Sequence, residues 1–313
     1  MLKFLARRLL YVIPTLVAIS FVSFVIIQLP PGDYLTSYIA KLNAQGENVD
    51  PALIEGLRIR YGLDDPFIVQ YLKWISGIVL HLDFGHSMEW GLPVSALIGE
   101  RLPLTIALAA SSVLFVWLVS LPVGVYTAVR QYSVGDYIAT TIGFLGLATP
   151  NFLLALVMMW IGFTTFGLSV SQVNPGTLLI AIIVLGTAGT AGLIRILRAN
   201  LLDELRKPYV VAARAQGLTE GKLLFKYPVR VALNPFFSTI GWLLPSLVGG
   251  EVIVSTVLNI NTTGPLLLNA LLSQDMYLAG SIIMILGVLT VIGTFISDVA
   301  LAWLDPRVRL GFN

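Results

Sequence analysis

Cysteine is absent from the 313 residues, so neither a disulfide frame nor a thiolate metal site can be built. Histidine occurs only at positions 81 and 86. That spacing puts the pair off a common helical face, and no carboxylate cluster joins it, so no metal site is expected. Charge is scarce: Lys, Arg, Asp and Glu make up 12% of the chain, against about 25% in a soluble domain. A phosphate cradle is also missing, because Gly221-Lys222 lacks the spaced glycine and the Ser or Thr that such a loop requires. No Ser–His–Asp set or carboxylate pair stands out. No catalytic residue is nominated, no enzyme activity is expected of this chain, and no nucleic acid partner is expected.

What the chain has is apolar length. Hydrophobic residues make up 57% of it, and a bilayer core needs about 20 of them per helix. Six runs meet that need, at 9–29, 103–128, 137–165, 178–197, 236–258 and 279–303. The expected class is therefore an all-α integral membrane protein with six transmembrane helices. The first run is too long for a signal-peptide core and no small-residue cleavage site follows it, so it is read as a retained span. Lys3, Arg7 and Arg8 precede that run and place the N-terminus inside. Most other Lys and Arg residues fall in segments that six spans put on that same side, including Arg307 and Arg309 near the C-terminus. Pro150 lies in the third run and is expected to kink it. The run GTAGTAG at 186–192 should let helices approach closely.

Three parts follow from that topology: a first span with its inner N-terminus, 1–29; an outer loop, 30–101; and a five-helix core, 102–313, with an inner loop at 199–235. The outer loop is expected to be helical. Asp50-Pro51 reads as an N-cap and N1 pair opening a helix that closes at Gly62. Phe67, Ile68, Tyr71, Leu72, Ile75, Ile78 and Val79 have amphipathic spacing, so a second helix should lie at the outer interface, with Tyr71 and Trp74 at headgroup depth. Residues 259–278 read as a turn followed by a short helix.

The inner loop carries the most informative stretch, YVVAARAQGLTEGKLLFKYPVR at 209–230. Arg214, Lys222, Lys226 and Arg230 make it basic, and Gly217 divides it into two short helical pieces. Gly217 is expected at positive φ. Leu218 is expected to staple onto Leu223 across a Thr219 N-cap. A helix–Gly–helix hook on a membrane protein suits a partner that pushes on it. A basic patch resting on anionic headgroups is the plainer alternative.

Ion-driven transport is the rival class, and it favours ionisable groups at mid-membrane. Asp136, Glu251 and Asp298 are the acidic candidates. Asp136 and Asp298 fall near inner ends, within reach of water or Arg partners. Glu251 lies deeper, beside Gly249-Gly250, and reads either as part of a translocation path or as a hydrogen-bonding residue packed on another helix.

Motifs along nearly the whole chain resemble one known family. FLARRLLYVIPTLVAISFVSFVIIQLPPGD, with its Pro31-Gly32-Asp33 exit, is similar to the first span of the dipeptide/oligopeptide/nickel branch of ABC-importer permeases. YGLDDPFIVQYLKWISGIVLHLDFGHS resembles that branch's external motif, including Asp83-Phe84-Gly85-His86-Ser87. Arg101-Leu102-Pro103-Leu104-Thr105, Thr149-Pro150-Asn151-Phe152 and the ending Asp298…Leu304-Asp305-Pro306-Arg307-Val308-Arg309 follow in the same order. The stretch at 209–230 resembles the family's EAA loop, with Val211 in the glutamate position, Ala212 and Ala213 as the alanines, and Gly217 as the glycine. Ser255 stands where the family often has glutamate, and Asn261-Thr262-Thr263-Gly264-Pro265 replaces a short Pro-Gly turn.

The resemblance implies the ABC type I importer permease fold, with a helical periplasmic insertion between the first two spans, in the inner membrane with both termini cytoplasmic. It implies a coupling loop formed by Val211, Ala212, Ala213, Arg214, Gly217 and Leu218, with Ala213 on the docking face, and a path past Pro150, Asn151, Glu251 and Ser255. No cofactor is expected on this chain, and ATP and Mg belong to partner subunits. The implied partners are a second homologous permease, two ATP-binding subunits, an extracytoplasmic substrate-binding protein and membrane lipid. A short peptide is the expected cargo, and an oligosaccharide is the alternative.

Overall fold

The computed structural model describes residues 2–28, 65–87, 89–168, 173–234 and 249–304, with isolated positions 39, 55, 59 and 236. Most of the helix expected over 51–62, the end at 305–313 and most of the fifth run, 236–258, lie outside the described residues. Within them the chain is helical, and its extended pairing is a single bridge between His86 and Pro93.

The order is α1 (Leu2–Gln28), α2 (Phe67–His81), α3 (Val94–Val129), α4 (Val134–Ala148), α5 (Asn151–Phe166), α6 (Pro175–Leu205), α7 (Pro208–Ala215), α8 (Glu220–Lys226), α9 (Pro228–Ala232), α10 (249–257), α11 (Thr263–Leu272) and α12 (Met276–Leu304). Four of the described helices, α1, α3, α6 and α12, are long and apolar enough to cross a membrane; there are up to five spans if α4 and α5 count as one.

That last pair corrects the expected kink. The third run is two helices meeting at 111° across Thr149-Pro150. Proline disfavours the helical region for the residue before it, and Thr149 is extended at φ −87°, ψ 123°. Pro150 then stands at the N-cap of α5, at φ −59° and ψ 136°.

Contacts divide the chain into two units. One comprises 1–8, 106–260 and 292–313. Its core joins Val116, Val125 and Ala128 of α3 to Leu193, Leu197 and Leu201 of α6, and to Val229 and Ala232 of α9 with Phe236. Small residues make the close approaches: a Cβ on Gly186 would lie 2.5 Å from the Phe115 ring, and one on Gly146 would lie 2.5 Å from the Thr187 methyl. Asp136 is buried at the start of α4. It accepts from Arg198 Nε at 3.1 Å, from Arg198 Nη2 at 2.8 Å and from the Tyr132 amide at 2.9 Å. Asp298 of α12 accepts from Arg8 of α1 at 2.9 Å. Of the water or arginine partners expected for these two acids, both have arginine.

The other unit comprises 9–105 and 261–291. Phe24, Trp74, Ile78 and Met284 form its core, bordered by Phe67, Tyr71 and Phe84. Trp74 is buried against Phe24 and Tyr71 shares a hydrogen bond with Ser20 at 2.9 Å, so both are turned onto α1 rather than standing free. Asp275, just ahead of α12, accepts from the Ser87 hydroxyl at 2.5 Å and from the Glu89 and Leu278 amides at 3.2 Å. This ties the Asp83–Ser87 turn to the last helix.

The Asp136–Arg198 pair gives a direct test of the first unit. Removing one partner of a buried pair costs about 3 kcal/mol, because the other charge is left uncompensated. Arg198→Met should lower the thermal unfolding midpoint of the detergent-purified protein markedly. Adding Asp136→Asn to it should recover most of the loss. If the double variant is as unstable as the single one, the pair is not what fixes α4 on α6.

Candidate coupling hook and path

The hook begins where α6 ends. The Arg206 and Lys207 amides donate to Asp203 and Glu204 carbonyls, closing α6 in a tight turn. Pro208 follows at the first position of α7, where its missing donor costs nothing. The Tyr209 hydroxyl donates to Glu204 at 2.5 Å, fastening α7 back onto the end of α6. Burial and the Glu204 carboxylate together push the Tyr209 phenol up to about 12.

Gly217 separates α7 from α8 at φ +82°, as expected. Nothing stands within 4 Å of where its Cβ would be, so the demand for glycine is conformational, not steric. Across that corner Arg214 clamps Glu220, with Nε donating at 2.5 Å and Nη2 at 3.2 Å. The Arg214 guanidinium holds the Glu220 carboxyl below its ordinary value. Inside the corner, Val210, Ala213 and Leu223 are buried together, with Leu218 and Tyr227 against them. The Leu218 staple is therefore present. Thr219 occupies the N-cap position of α8 without a side-chain cap bond; its carbonyl accepts from the Leu223 amide instead.

The placement of the six hook residues corrects one expectation. Val211, Ala212 and Arg214 are exposed, and Val211 is 54% exposed. Ala213 points inward at 7% and belongs to the hook's own core, not to a docking face. On α7, Val210 and Ala213 are three apart and share the inner face, so their neighbours Val211 and Ala212 must turn outward. The residue that sequence reasoning passed over is Val229. It buries α9 in the α3–α6 core and so anchors the hook to the bundle. The Tyr227-Pro228 start of a further helical turn was the signal for it.

Four residues of the proposed path also come together. Ser255 Oγ donates to Glu251 Oε1 at 2.9 Å, one turn apart on α10, and both side chains are buried. Gly250 comes close to Asn151, since a Cβ there would lie 3.4 Å from Asn151 Nδ2 and 3.7 Å from Leu185. Pro150 and Asn151 form the break between α4 and α5. The buried carboxylate thus lies near an interrupted helix, where free backbone groups and a side-chain amide can offer polar contacts. His81 and His86 are exposed, at the end of α2 and in the turn after it.

Loss of the Gly217 conformation should cost about 1–2 kcal/mol locally, the penalty for a non-glycine residue in the left-handed region. Gly217→Val is expected to insert normally and then lose ATP-binding subunits on purification, or hydrolyse ATP without transport. Ala212→Asp should weaken subunit binding without destabilising the chain, whereas Ala213→Asp should unfold the hook by burying a charge. Lys222→Gln should change little, within about 1 kcal/mol for an exposed charge. Full subunit binding and uptake by Gly217→Val would rule the hook out as a coupling element.

Comparison with known proteins gives a consistent result. A family model described as "Binding-protein-dependent transport system inner membrane component" matches residues 120–310, and one for the N-terminal part of such components matches residues 1–109. The chain is similar to the oligopeptide transport system permease protein AppB of Bacillus subtilis, at 36% identity over 99% of this chain and 100% of that one. It is similar to the oligopeptide permease OppB of Salmonella typhimurium, at 29% over 99% and 100%. Similarity extends to the nickel import permease NikB of Staphylococcus aureus strain RF122, at 27% over 99% and 92%. Among solved structures, an inward-facing MetNI methionine ABC transporter aligns with TM-score 0.56 and 19% identity, covering 67% of this chain and 96% of that one. At that identity the likeness speaks for the fold.

Proposed function

We propose a function from the premise that this chain belongs to the family of binding-protein-dependent transport system inner membrane components. It is a multi-pass inner-membrane protein of the ABC importer permease class, with the all-helical type I permease fold. Its proposed task is to pass short peptides inward through the membrane. Two ATP-binding subunits would supply ATP and Mg, a second permease would complete the path, and an extracytoplasmic binding protein would deliver cargo. Relatives named as oligopeptide permeases support the peptide reading over an oligosaccharide.

The finer topology belongs to the same proposal. Six spans would include the α4–α5 pair as the third and 236–258 as the fifth. Residues 30–101 would form a periplasmic insertion, and both termini and the hook would face the cytoplasm. ATP-driven closure of the partners would move the exposed face of α7. The motion would enter α6 through Tyr209–Glu204 and through Val229 and Ala232 in the core. It would reach the break at Pro150-Asn151, where Glu251 and Ser255 line the path.

The observation that carries this reading is the hook: an outward apolar edge on short helices whose inner side is packed into the bundle. Uptake of radiolabelled peptides into proteoliposomes holding the assembled complex tests it. Uptake should require ATP on the hook side and the binding protein on the other. It should persist when ionophores abolish every ion gradient, and Glu251→Gln should leave peptide-stimulated hydrolysis within a few-fold of normal. Uptake that collapses with the gradients while ATP is held constant would make the chain an ion-coupled carrier, with Glu251 as its proton site.

A further inference from the structure

We propose that a groove between α3 and α8 holds an anionic phospholipid and that this lipid braces the coupling hook. The groove has a volume of about 410 Å³. Leu121, Tyr126 and Val129 on the last turns of α3 form one wall, and Leu224 and Phe225 on α8 form the other. Val129 and Phe225 are 51% and 67% exposed, so apolar surface is left open on both walls. Arg130 closes one end, its guanidinium held 5.8 Å over the centre of the Tyr126 ring.

Depth and charge select the occupant. The wall on α3 is the end of a helix long and apolar enough to cross a membrane, and with the span taken as 103–128 the groove falls where acyl chains meet headgroups. An acyl chain matches its apolar walls, and a phosphate matches a guanidinium already oriented by an aromatic face. Among the described residues no carboxylate pairs with Arg130, and the hook's own Glu220 is clamped by Arg214. Lys222 and Lys226 lie on the same short helix as Leu224 and Phe225 and make that helix basic. A protein partner would call for a polar rim with hydrogen-bonding groups, and this lining offers little besides Arg130 and the Tyr126 hydroxyl. Because α8 forms both the groove wall and half of the hook, a seated chain would stiffen the corner at Gly217. The inference rests on the membrane placement of α3, not on the identity of the cargo.

Photolabelling tests it on the full chain assembled with its ATP-binding partners in phosphatidylcholine nanodiscs. A small fraction of acyl-photoreactive phosphatidylglycerol is added in one arm and of photoreactive phosphatidylcholine in the other, and adducts are mapped by mass spectrometry. Phosphatidylglycerol should label 121–130 and 222–226 in excess over phosphatidylcholine. Arg130→Gln should cut that labelling by about five-fold, the effect of one basic side chain near an anionic lipid, while Arg130→Lys keeps most of it. Equal labelling by both lipids, unchanged in Arg130→Gln, would overturn the anionic site. Absence of labelling together with cross-linking of Phe225→Cys to an ATP-binding subunit would assign the groove to protein and overturn the lipid reading.

Discussion

Everything proposed for the hook depends on the burial of α9 against α3 and α6. The three hook helices are 8, 7 and 5 residues long, far below the length at which a helix holds itself in water. Tertiary packing must therefore fix their geometry. Val229 and Ala232 meet Leu193, Leu197 and Leu201, so the hook's base is part of the bundle core. The Val210–Ala213–Leu223 cluster then fixes the tip on that base. A push on Val211 and Ala212 meets a body with two packed layers behind it, and that is what a transmitting element requires.

Asp136, Asp298 and Glu251 of the apolar helices each have a partner close by. Asp136 has Arg198 and Asp298 has Arg8, which argues for structural roles at the ends of helices. Glu251 accepts from Ser255, a neutral donor, and lies by the broken α4–α5 pair. Its place beside that break makes Glu251 the candidate path residue, with the Ser255 hydroxyl as one of its contacts. That contact also gives physical meaning to serine at a position where the resembling family often carries glutamate, since a second carboxylate one turn away would repel the first.

Much of this was legible in the sequence, because long apolar runs, proline positions and glycine corners act locally. The four long apolar helices, the α2 helix, the positive φ of Gly217 and the Leu218 staple follow from such signals. The sharp break at Pro150 was read as a kink, since proline spacing shows where a helix is interrupted but not by what angle. The inward turn of Ala213 was missed because the motif marks which residues recur and not which side of a short helix meets its neighbour. The hook's anchor at Val229 depends on a contact between residues far apart in the chain, and no local pattern reports that.

The central claim is that the hook moves with α6 as one rigid piece. The chain contains no cysteine, so spin labels can be placed at Lys222→Cys on α8 of the hook, where substitution is expected to change little, and Asp203→Cys near the end of α6 without further changes. Pulsed dipolar spectroscopy of the assembled complex, nucleotide-free and trapped with vanadate, reads the distance between them. A single narrow distance, the same in both states, is the expected result. A broad distribution, or one that shifts with nucleotide, would mean that the hook swings about Arg206-Lys207 and cannot carry the motion into the bundle.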